Sequence, residues 1–172
     1  MSASSDSVDQ HRQTAPASVR CAILTVSDTR TSGTDTSGDA MATLLTDAGH
    51  TVGARRLVRD EPSHIGGALD ELLAQDGVQV VITTGGTGIS RRDSTFEVVD
   101  AMLEKRLDGF GELFRMLSYT EIGPAAMLSR ACAGTCRGRV LIALPGSEAA
   151  VRFALQKLLL PELGHLVREV AR

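Results

Sequence analysis

The segment VQVVITTGGTG, residues 78–88, decides the fold of this 172-residue chain. Its first seven residues form the most hydrophobic, β-branched run in the sequence, which predicts a buried strand over residues 78–84. The GGTG sequence that follows predicts a tight turn in which the backbone can approach a neighbouring group closely. Because a helical period resumes at about Ser94, the segment indicates a strand, a turn and a helix, the unit from which parallel sheets are built.

Strands and helices alternate on both sides of this segment. Further strands are predicted over residues 20–27, 51–58, 129–136 and 139–144, the last two forming a hairpin about Gly138. Helices are predicted over residues 38–48, 62–75, 94–103, 111–119, 148–159 and 162–172. Ser94 and Glu97 fit a capping box at the start of the third helix, and Pro161 is expected to interrupt the last two. This order predicts an α/β fold with a largely parallel sheet covered by helices on both faces.

The boundaries follow from polarity. Residues 1–18 are polar and are expected to form a disordered tail, which leaves residues 19–172 as a single α/β domain. The tail has neither the apolar stretch nor the cleavage site of a secretory signal. No apolar run approaches the roughly 20 residues that cross a bilayer. We therefore expect a soluble, cytoplasmic protein with no membrane partner.

The composition also argues against some classes of partner and site. With a net charge of −3, only 3% aromatic residues and no tryptophan, the chain lacks the basic surface and stacking platforms of a nucleic-acid-binding protein. Cys132 and Cys136 have a metal-site spacing but no second Cys/His pair, so they are interpreted as small buried residues. The four histidines show no ligand spacing and are interpreted as surface residues: His11, His50, His64 and His165.

Polar residues and glycines follow the ends of four predicted strands. Since the carboxyl ends of parallel strands meet at one edge of a sheet, where ligands bind in open α/β folds, these residues are expected to converge. They are Thr25, Val26, Ser27 and Asp28; Asp60; Gly85, Gly86, Thr87 and Gly88; and Pro145, Gly146 and Ser147. Ser27 and Asp28 are equally suited to a local turn, and Ser147 to a helix cap.

The glycine turn, followed by Arg91 and Arg92, could bind a phosphate through backbone N–H groups and a helix N-terminus. It is neither a Walker A loop, since no Lys-Ser/Thr pair follows, nor the dinucleotide fingerprint, since the glycine spacing differs. The alternative is a strand-to-helix turn that only needs positive φ. Ser129 and Arg130 place a hydroxyl and a guanidinium side by side, which also suits an anion, although a solvated arginine is as common.

Two carboxylates stand out near this turn. Magnesium prefers one or two carboxylates together with phosphate oxygens and water, and Asp60 with Asp93 could supply them from different strand ends. Each also has a purely structural interpretation, as a strand stop or as a partner of a helix N-terminus. A separate apolar segment, residues 110–118, either packs inside or meets another subunit.

Taken in order, several of these motifs resemble the MoaB/Mog family and the molybdopterin-binding G domains of gephyrin. The resemblance covers about residues 19–170. The motifs are TVSD (25–28), TGGTG (84–88) with Arg92 and Asp93, GFGELFR (109–115), Ser129-Arg130 and PGS (145–147). One departure is that the family pattern after the second aspartate is Val-Thr-Pro, whereas this chain has Ser94, Thr95 and Phe96.

The resemblance implies a three-layer αβα sandwich that binds molybdopterin, ATP and Mg²⁺. It implies transfer of AMP to the terminal phosphate of the pterin, with release of pyrophosphate. Asp60 and Asp93 would be the catalytic, metal-binding pair. The strand-end residues, with Ser129 and Arg130, would bind nucleotide and pterin. A homotrimer or hexamer is implied, and other enzymes of the same pathway are candidate partners. The sequence leaves open two alternatives, a non-enzymatic pterin-binding paralogue and an oligomeric scaffold of the pathway. It also leaves open whether molybdenum or tungsten is the eventual metal of the cofactor.

Overall fold

The sheet contains six strands. A computed structural model describes residues 14–172, and its strands are β1 (Arg20–Val26), β2 (Thr51–Val58), β3 (Val80–Thr84), β4 (Lys105–Arg106), β5 (Cys132–Cys136) and β6 (Arg139–Leu144). They lie in the order β2-β1-β3-β6-β5-β4. The first four strands of this order pair in parallel, and β5 runs antiparallel to β6 and β4. The expected mostly parallel sheet with a small antiparallel hairpin is therefore confirmed.

Helices cover both faces of the sheet. They are α1 (Thr36–Asp47), α2 (Pro62–Ala74), α3 (Thr95–Met102), α4 (Asp108–Ile122), α5 (Glu148–Ala154) and α6 (Leu160–Val170). Alternate residues of β1 enter opposite cores: Ile23 packs with buried residues of α1, α5 and α6, and Leu24 with those of α2 and α3. Because side chains alternate along a strand, the sheet buries both of its faces. This confirms the three-layer αβα sandwich.

The order of the strands contains a reversal at β1. The chain passes from β1 to β2 on one side and then returns to place β3 on the other side. In open α/β sheets such a reversal leaves a crevice at the carboxyl ends of the two strands, because the connections leave in opposite directions. The predicted glycine turn follows β3 and so lies at this crevice.

Three local predictions need correction. Pro161 does not interrupt the last helices, because α5 continues into α6 through a π-helical segment, Leu155–Leu159. Pro161 is the second residue of α6 and directly follows this π-helical segment, so the continuous helix accommodates the proline without a break. The predicted strand over residues 129–136 begins only at Cys132, after a short 3₁₀ helix, Gly123–Leu128. The two-residue β4 was not predicted, since two exposed residues carry no periodic signal.

The start of the chain lies mostly outside the described residues, which begin at residue 14. Of the predicted tail, residues 14–18 are described, and the Pro16 carbonyl oxygen lies 2.5 Å from where a Cβ on Gly164 would stand. This short segment therefore lies against α6. Within the described part of the chain, no helix is both long and apolar enough to cross a membrane.

The sequence predicted the burial of two cysteines correctly and the exposure of one histidine wrongly. Cys132 and Cys136 are buried, as expected for small core residues. His50 was expected at the surface but is only 8% exposed. Its Nδ1 accepts a hydrogen bond from the Val19 N–H at 3.2 Å. This bond ties the beginning of β1 to the residue before β2, and it requires an unprotonated Nδ1.

We predict that His50 makes the stability of the fold sensitive to mild acid. Burial lowers the pKa of His50, so the unfolded chain binds a proton more readily than the folded one. Unprotonated His50 therefore contributes to the stability of the fold above the pKa of histidine in the unfolded chain, about 6.5. This contribution is lost as the pH falls below that pKa. Urea unfolding at pH 8 and pH 5.5 should show a larger loss for the wild type than for His50→Asn. The matched control is His64→Asn at an exposed histidine, and equal losses in wild type and His50→Asn would contradict the prediction.

Candidate functional site

The glycine loop crosses the end of β1 at very short distance. Gly85 has φ +97°, and a Cβ there would stand 2.1 Å from the Val26 carbonyl oxygen. Gly85 also donates its N–H to the Leu144 carbonyl at 3.1 Å, which ties the loop to the end of β6. Only glycine satisfies both the conformation and the contact, so the loop is held across the crevice between β1 and β3. Val26 contributes through its backbone, because its side chain is buried in the core.

Backbone N–H groups are the main free donors of this loop. The N–H groups of Gly86, Thr87, Gly88 and Ile89 donate no hydrogen bond to any group in residues 14–172. Thr87 is only 4% exposed. An N–H group that is buried without a partner costs free energy of folding, so a free N–H at this residue is unusual. Successive free amides in a glycine loop are an arrangement that binds anions in other proteins, and phosphate binding at this turn stays a prediction.

Asp60 is buried beside the loop and is 8% exposed. Its Oδ1 accepts hydrogen bonds from the Ser94 N–H at 3.1 Å and from the Ser94 hydroxyl at 2.8 Å. The predicted capping box is therefore wrong: Ser94 makes no side-chain cap to its own helix, and its hydroxyl serves Asp60. The other oxygen of Asp60, Oδ2, lies 2.5 Å from where a Cβ on Gly86 would stand.

Thr95 brings a second oxygen to the same place. Its N–H donates to the Gly86 carbonyl at 2.9 Å. Its fully buried hydroxyl lies 2.2 Å from the position of a Cβ on Gly86 and has no partner in the described structure. The absence of a side chain at Gly86 thus leaves room for two oxygens, Asp60 Oδ2 and Thr95 Oγ1. Sequence reasoning did not single out Ser94 or Thr95 as site residues, although both directly follow a candidate aspartate.

Asp93 approaches the loop from its other end. Its Oδ2 accepts a hydrogen bond from the Ser90 N–H at 2.8 Å. The same oxygen lies 2.6 Å from the position of a Cβ on Gly88. Asp60 and Asp93 therefore border one loop, beside Gly86 and Gly88 respectively. No group of three or more His, Cys, Asp or Glu side chains within residues 14–172 could hold a metal ion by itself.

Asp28 and Ser27 are engaged within the protein. Arg92 donates to Asp28 Oδ2 at 2.7 Å and lies 3.3 Å from Glu61. The hydrogen bond from Arg92 lowers the pKa of the Asp28 carboxyl. Asp28 Oδ1 also accepts the Asp60 N–H at 3.3 Å, which links the ends of β1 and β2. The Ser27 hydroxyl accepts the N–H groups of residues 29 and 30, so Ser27 forms the local turn that was its alternative interpretation.

Thr25 points to a buried acid that the sequence analysis did not identify. Its hydroxyl donates to Asp35 Oδ2 at 2.7 Å, and Asp35 is 4% exposed. Asp35 also accepts the Gly38 N–H at 3.0 Å as the N-cap of α1. Arg30 and Arg55 each lie 3.5 Å from its carboxylate. The position of an aspartate three residues before the predicted helix was the signal that could have found it.

The PGS segment closes the site on the side of β6. The Gly146 carbonyl accepts the Ser37 hydroxyl at 2.8 Å and Arg30 Nη2 at 3.1 Å. The Thr84 hydroxyl donates to the Pro145 carbonyl at 2.9 Å. The Ser147 hydroxyl caps α5 by accepting the Ala150 N–H at 3.2 Å. This segment is thus held to α1 and β3 mainly through its carbonyl groups.

Ser129 lies apart from the loop, in a cavity of about 310 Å³. Pro145 and Ser147 also line this cavity, together with Phe114 and Phe153. The cavity adjoins the end of β6. A larger cavity of about 600 Å³ lies between residues 106–113 and the start of α6, and no predicted site residue lines it.

Arg130 contacts the loop itself. Its Nε donates to the Thr87 carbonyl at 2.8 Å and its Nη2 to the Gly88 carbonyl. Its Nη1 pairs with Glu97 at 2.5 Å, and this bond lowers the pKa of the Glu97 carboxyl. The guanidinium carbon lies 4.7 Å from the centre of the Phe96 ring. Phe96, a departure from the family pattern, therefore forms a wall beneath Arg130.

Comparison with known proteins identifies the family of the chain. A family model described as "Probable molybdopterin binding domain" matches residues 22–165. Molybdenum cofactor biosynthesis protein B of Bacillus anthracis is 52% identical over 167 residues, which cover 96% of this chain and 99% of that protein. A crystal structure of a molybdenum cofactor biosynthesis protein B superposes with a TM-score of 0.88 at 52% identity, covering 91% of this chain and 98% of the other.

A more distant solved structure shares the fold over the same length. The tungsten cofactor synthesizing protein MoaB from Pyrococcus furiosus gives a TM-score of 0.83 at 36% identity, covering 92% of this chain and all of that one (100%). The region that the family model matches, residues 22–165, contains the ends of β1 and β3, the glycine loop and both aspartates. The chain therefore belongs to the MoaB/Mog family of molybdenum cofactor biosynthesis proteins, whose shared unit is the molybdopterin-binding domain.

Proposed function

We propose that this protein catalyses Mg²⁺- and ATP-dependent adenylylation of molybdopterin, giving adenylyl-molybdopterin and pyrophosphate. The observation that carries the proposal is the loop over residues 86–89, whose four N–H groups are free and which is bordered by Asp60 and Asp93. Unpaired backbone donors suit phosphate oxygens, and flanking carboxylates suit a cation that accompanies the phosphates.

The reaction needs positioning and charge compensation more than a side-chain nucleophile. An oxygen of the pterin phosphate attacks the α-phosphorus of ATP and forms a new P–O bond. The bond from that phosphorus to the bridging oxygen of the β-phosphate breaks, and pyrophosphate leaves with the electron pair. The free N–H groups of the loop would bind and align one of these phosphates, because their directions are fixed before the substrate arrives.

The oxygens beside the loop fit magnesium. Hard cations prefer oxygen ligands, and Asp60 Oδ2 is not engaged by another described residue, whereas Oδ1 is held by Ser94. Asp60 and Asp93 would hold the ion, which when bound would neutralise phosphate charge. Ser94 keeps the Asp60 carboxylate in one orientation, and the buried Thr95 hydroxyl is a further oxygen at this position.

We also propose that the chain assembles with copies of itself through α4. Phe114 on this helix is buried, but its neighbours Leu113, Met116, Tyr119 and Ile122 are between 47% and 59% exposed. Met127 and Leu128 in the adjoining 3₁₀ helix extend the surface at 77% and 52% exposure. Several exposed apolar side chains on one helix and the segment that follows it are typical of an interface. A homotrimer, or a hexamer made of two trimers, would bury it.

The proposed function makes three predictions, of which the first concerns the two aspartates. Asp60→Asn and Asp93→Asn should each lower molybdopterin-dependent release of pyrophosphate by about two orders of magnitude or more, because each removes negative charge that would hold the metal. Turnover is measured with purified protein, molybdopterin, ATP and Mg²⁺. Asp76→Asn, at an exposed aspartate distant in the sequence, is the matched control and should retain the wild-type rate.

The result that would contradict the proposal is also specific. If the wild type binds molybdopterin but releases no pyrophosphate, the protein is a binding paralogue and not an adenylyltransferase. If either aspartate variant keeps full turnover, the assignment of the metal site is wrong.

The second prediction concerns the space beside Gly86. A methyl group in Gly86→Ala would overlap Asp60 Oδ2 and Thr95 Oγ1, and the φ of +64° is strained for alanine. We expect roughly tenfold weaker binding of Mg-ATP by calorimetry, since the loop must shift away from the aspartate. Gly109→Ala, where a Cβ meets nothing within 4 Å, is the control. Unchanged affinity in a folded Gly86→Ala protein would exclude the loop as the nucleotide site.

The third prediction concerns assembly. Met116→Glu places a charge in the centre of the exposed α4 surface, where burial against another subunit would be costly. Light scattering coupled to size-exclusion chromatography should show an oligomer for the wild type and a monomer for Met116→Glu. Gln156→Glu, at an exposed residue of the π-helical segment, should leave the mass unchanged. An oligomer that survives Met116→Glu would exclude this surface as the interface.

A further inference from the structure

Four of the five N–H donors of the Arg130 guanidinium are engaged inside the protein. Nε and Nη2 donate to consecutive carbonyls, those of Thr87 and Gly88. Nη1 and Nη2 also reach the two oxygens of Glu97, at 2.5 and 3.3 Å. One face of the group lies over the Phe96 ring at 4.7 Å. Each of its three nitrogens therefore already has a partner, and within the described residues only the second N–H of Nη1 has none.

The two carbonyls held by Arg130 determine where two amides point. Each peptide unit is planar and trans, so its carbonyl and its N–H point in opposite directions. The Thr87 carbonyl shares a peptide plane with the N–H of Gly88, and the Gly88 carbonyl shares one with the N–H of Ile89. By fixing both carbonyls on its own side, Arg130 turns these two N–H groups to the other side. They are two of the four N–H groups that have no partner within residues 14–172.

The contacts of Arg130 also explain why a glycine-rich loop is held in one conformation. Glycine loses more conformational freedom on ordering than any other residue, so a loop with three glycines needs external restraint. Charge-assisted hydrogen bonds from a planar fork provide it at two successive residues, which a lysine ammonium cannot reproduce with the same geometry. Glu97 and Phe96 belong to the first turn of α3, so they tie this restraint to a helix.

We infer that Arg130 is a positioning residue that acts through the glycine loop, with Glu97 and Phe96 holding its guanidinium in place. Its role is to present the N–H groups of Gly88 and Ile89 to an anion of the pyrophosphate class. This assignment differs from direct contact with the ligand, which the adjacent Ser129 and Arg130 suggested. The identity of the anion rests on the proposed function, whereas the effect of Arg130 on the loop does not.

The decisive measurement is the mobility of the loop amides in the ligand-free protein. ¹⁵N relaxation should give order parameters of about 0.85 for the N–H groups of Gly88 and Ile89 in the wild type and values below about 0.6 in Arg130→Gln. Arg130→Lys should not rescue the order, because a point charge does not bridge two carbonyls. Arg168→Gln is the matched control: Arg168 is 24% exposed against 26% for Arg130, and it pairs with Glu169 on α6.

Glu97→Ala separates positioning from direct contact by the sign of its effect. Removing a negative charge near an anion site should strengthen anion binding if Arg130 touched the anion itself, since the arginine would be released. If Arg130 acts through the loop, the same change weakens binding, because the guanidinium loses its support. Calorimetry with inorganic pyrophosphate should therefore show roughly tenfold weaker binding for both Arg130→Gln and Glu97→Ala.

The outcomes distinguish this inference from the proposed function. Loss of loop order in Arg130→Gln supports the positioning role whether or not pyrophosphate binds. A wild type that binds no pyrophosphate, with that loss of order present, argues against the proposed function alone. Unchanged order parameters in both Arg130→Gln and Glu97→Ala, or tighter pyrophosphate binding by Glu97→Ala, would overturn the positioning role.

Discussion

The close crossing of Gly85 over the end of β1 is the constraint on which the site depends. At this point a Cβ would stand 2.1 Å from the Val26 carbonyl oxygen, so the backbone itself fills the crevice between β1 and β3. With the loop fixed there, Gly86 faces Asp60 and Gly88 faces Asp93. The crevice exists because the strand order reverses at β1. The sheet topology therefore determines where the loop lies, and the absence of side chains at its glycines lets the two aspartates approach it.

The arginines at the site mainly hold other groups of the protein in place. Arg30 donates to the Gly146 carbonyl, Arg92 binds Asp28, and Arg130 binds the glycine loop. Each guanidinium connects two segments that are distant in the sequence. This arrangement leaves backbone N–H groups as the donors available to a ligand, and their directions are fixed by the fold. In this family member, Ser94 and Phe96 both contribute to that support, through Asp60 and Arg130 respectively.

Parts of this architecture were predictable because they depend on local composition. The bounds of β2 and β6 match the sequence prediction at both ends. The convergence of Thr25, Asp60, Gly85 and Gly146 follows from parallel strands ending at one edge. The prediction failed where a residue had two possible partners. Ser94 could cap its own helix or bind Asp60, and burial of the carboxylate makes the second hydrogen bond the stronger one.

The sequence by itself determined the order of the elements, the parallel sheet and the set of residues at its carboxyl edge, because hydrophobic periodicity and glycine act over a few residues. Only the tertiary structure decided which polar atoms are engaged and which are free. His50 proved to be buried beside Val19, Asp35 became a shared acceptor, and Arg130 turned to the loop carbonyls. A polar group that leaves water must find a partner wherever the fold offers one, and that partner is fixed by packing between distant segments.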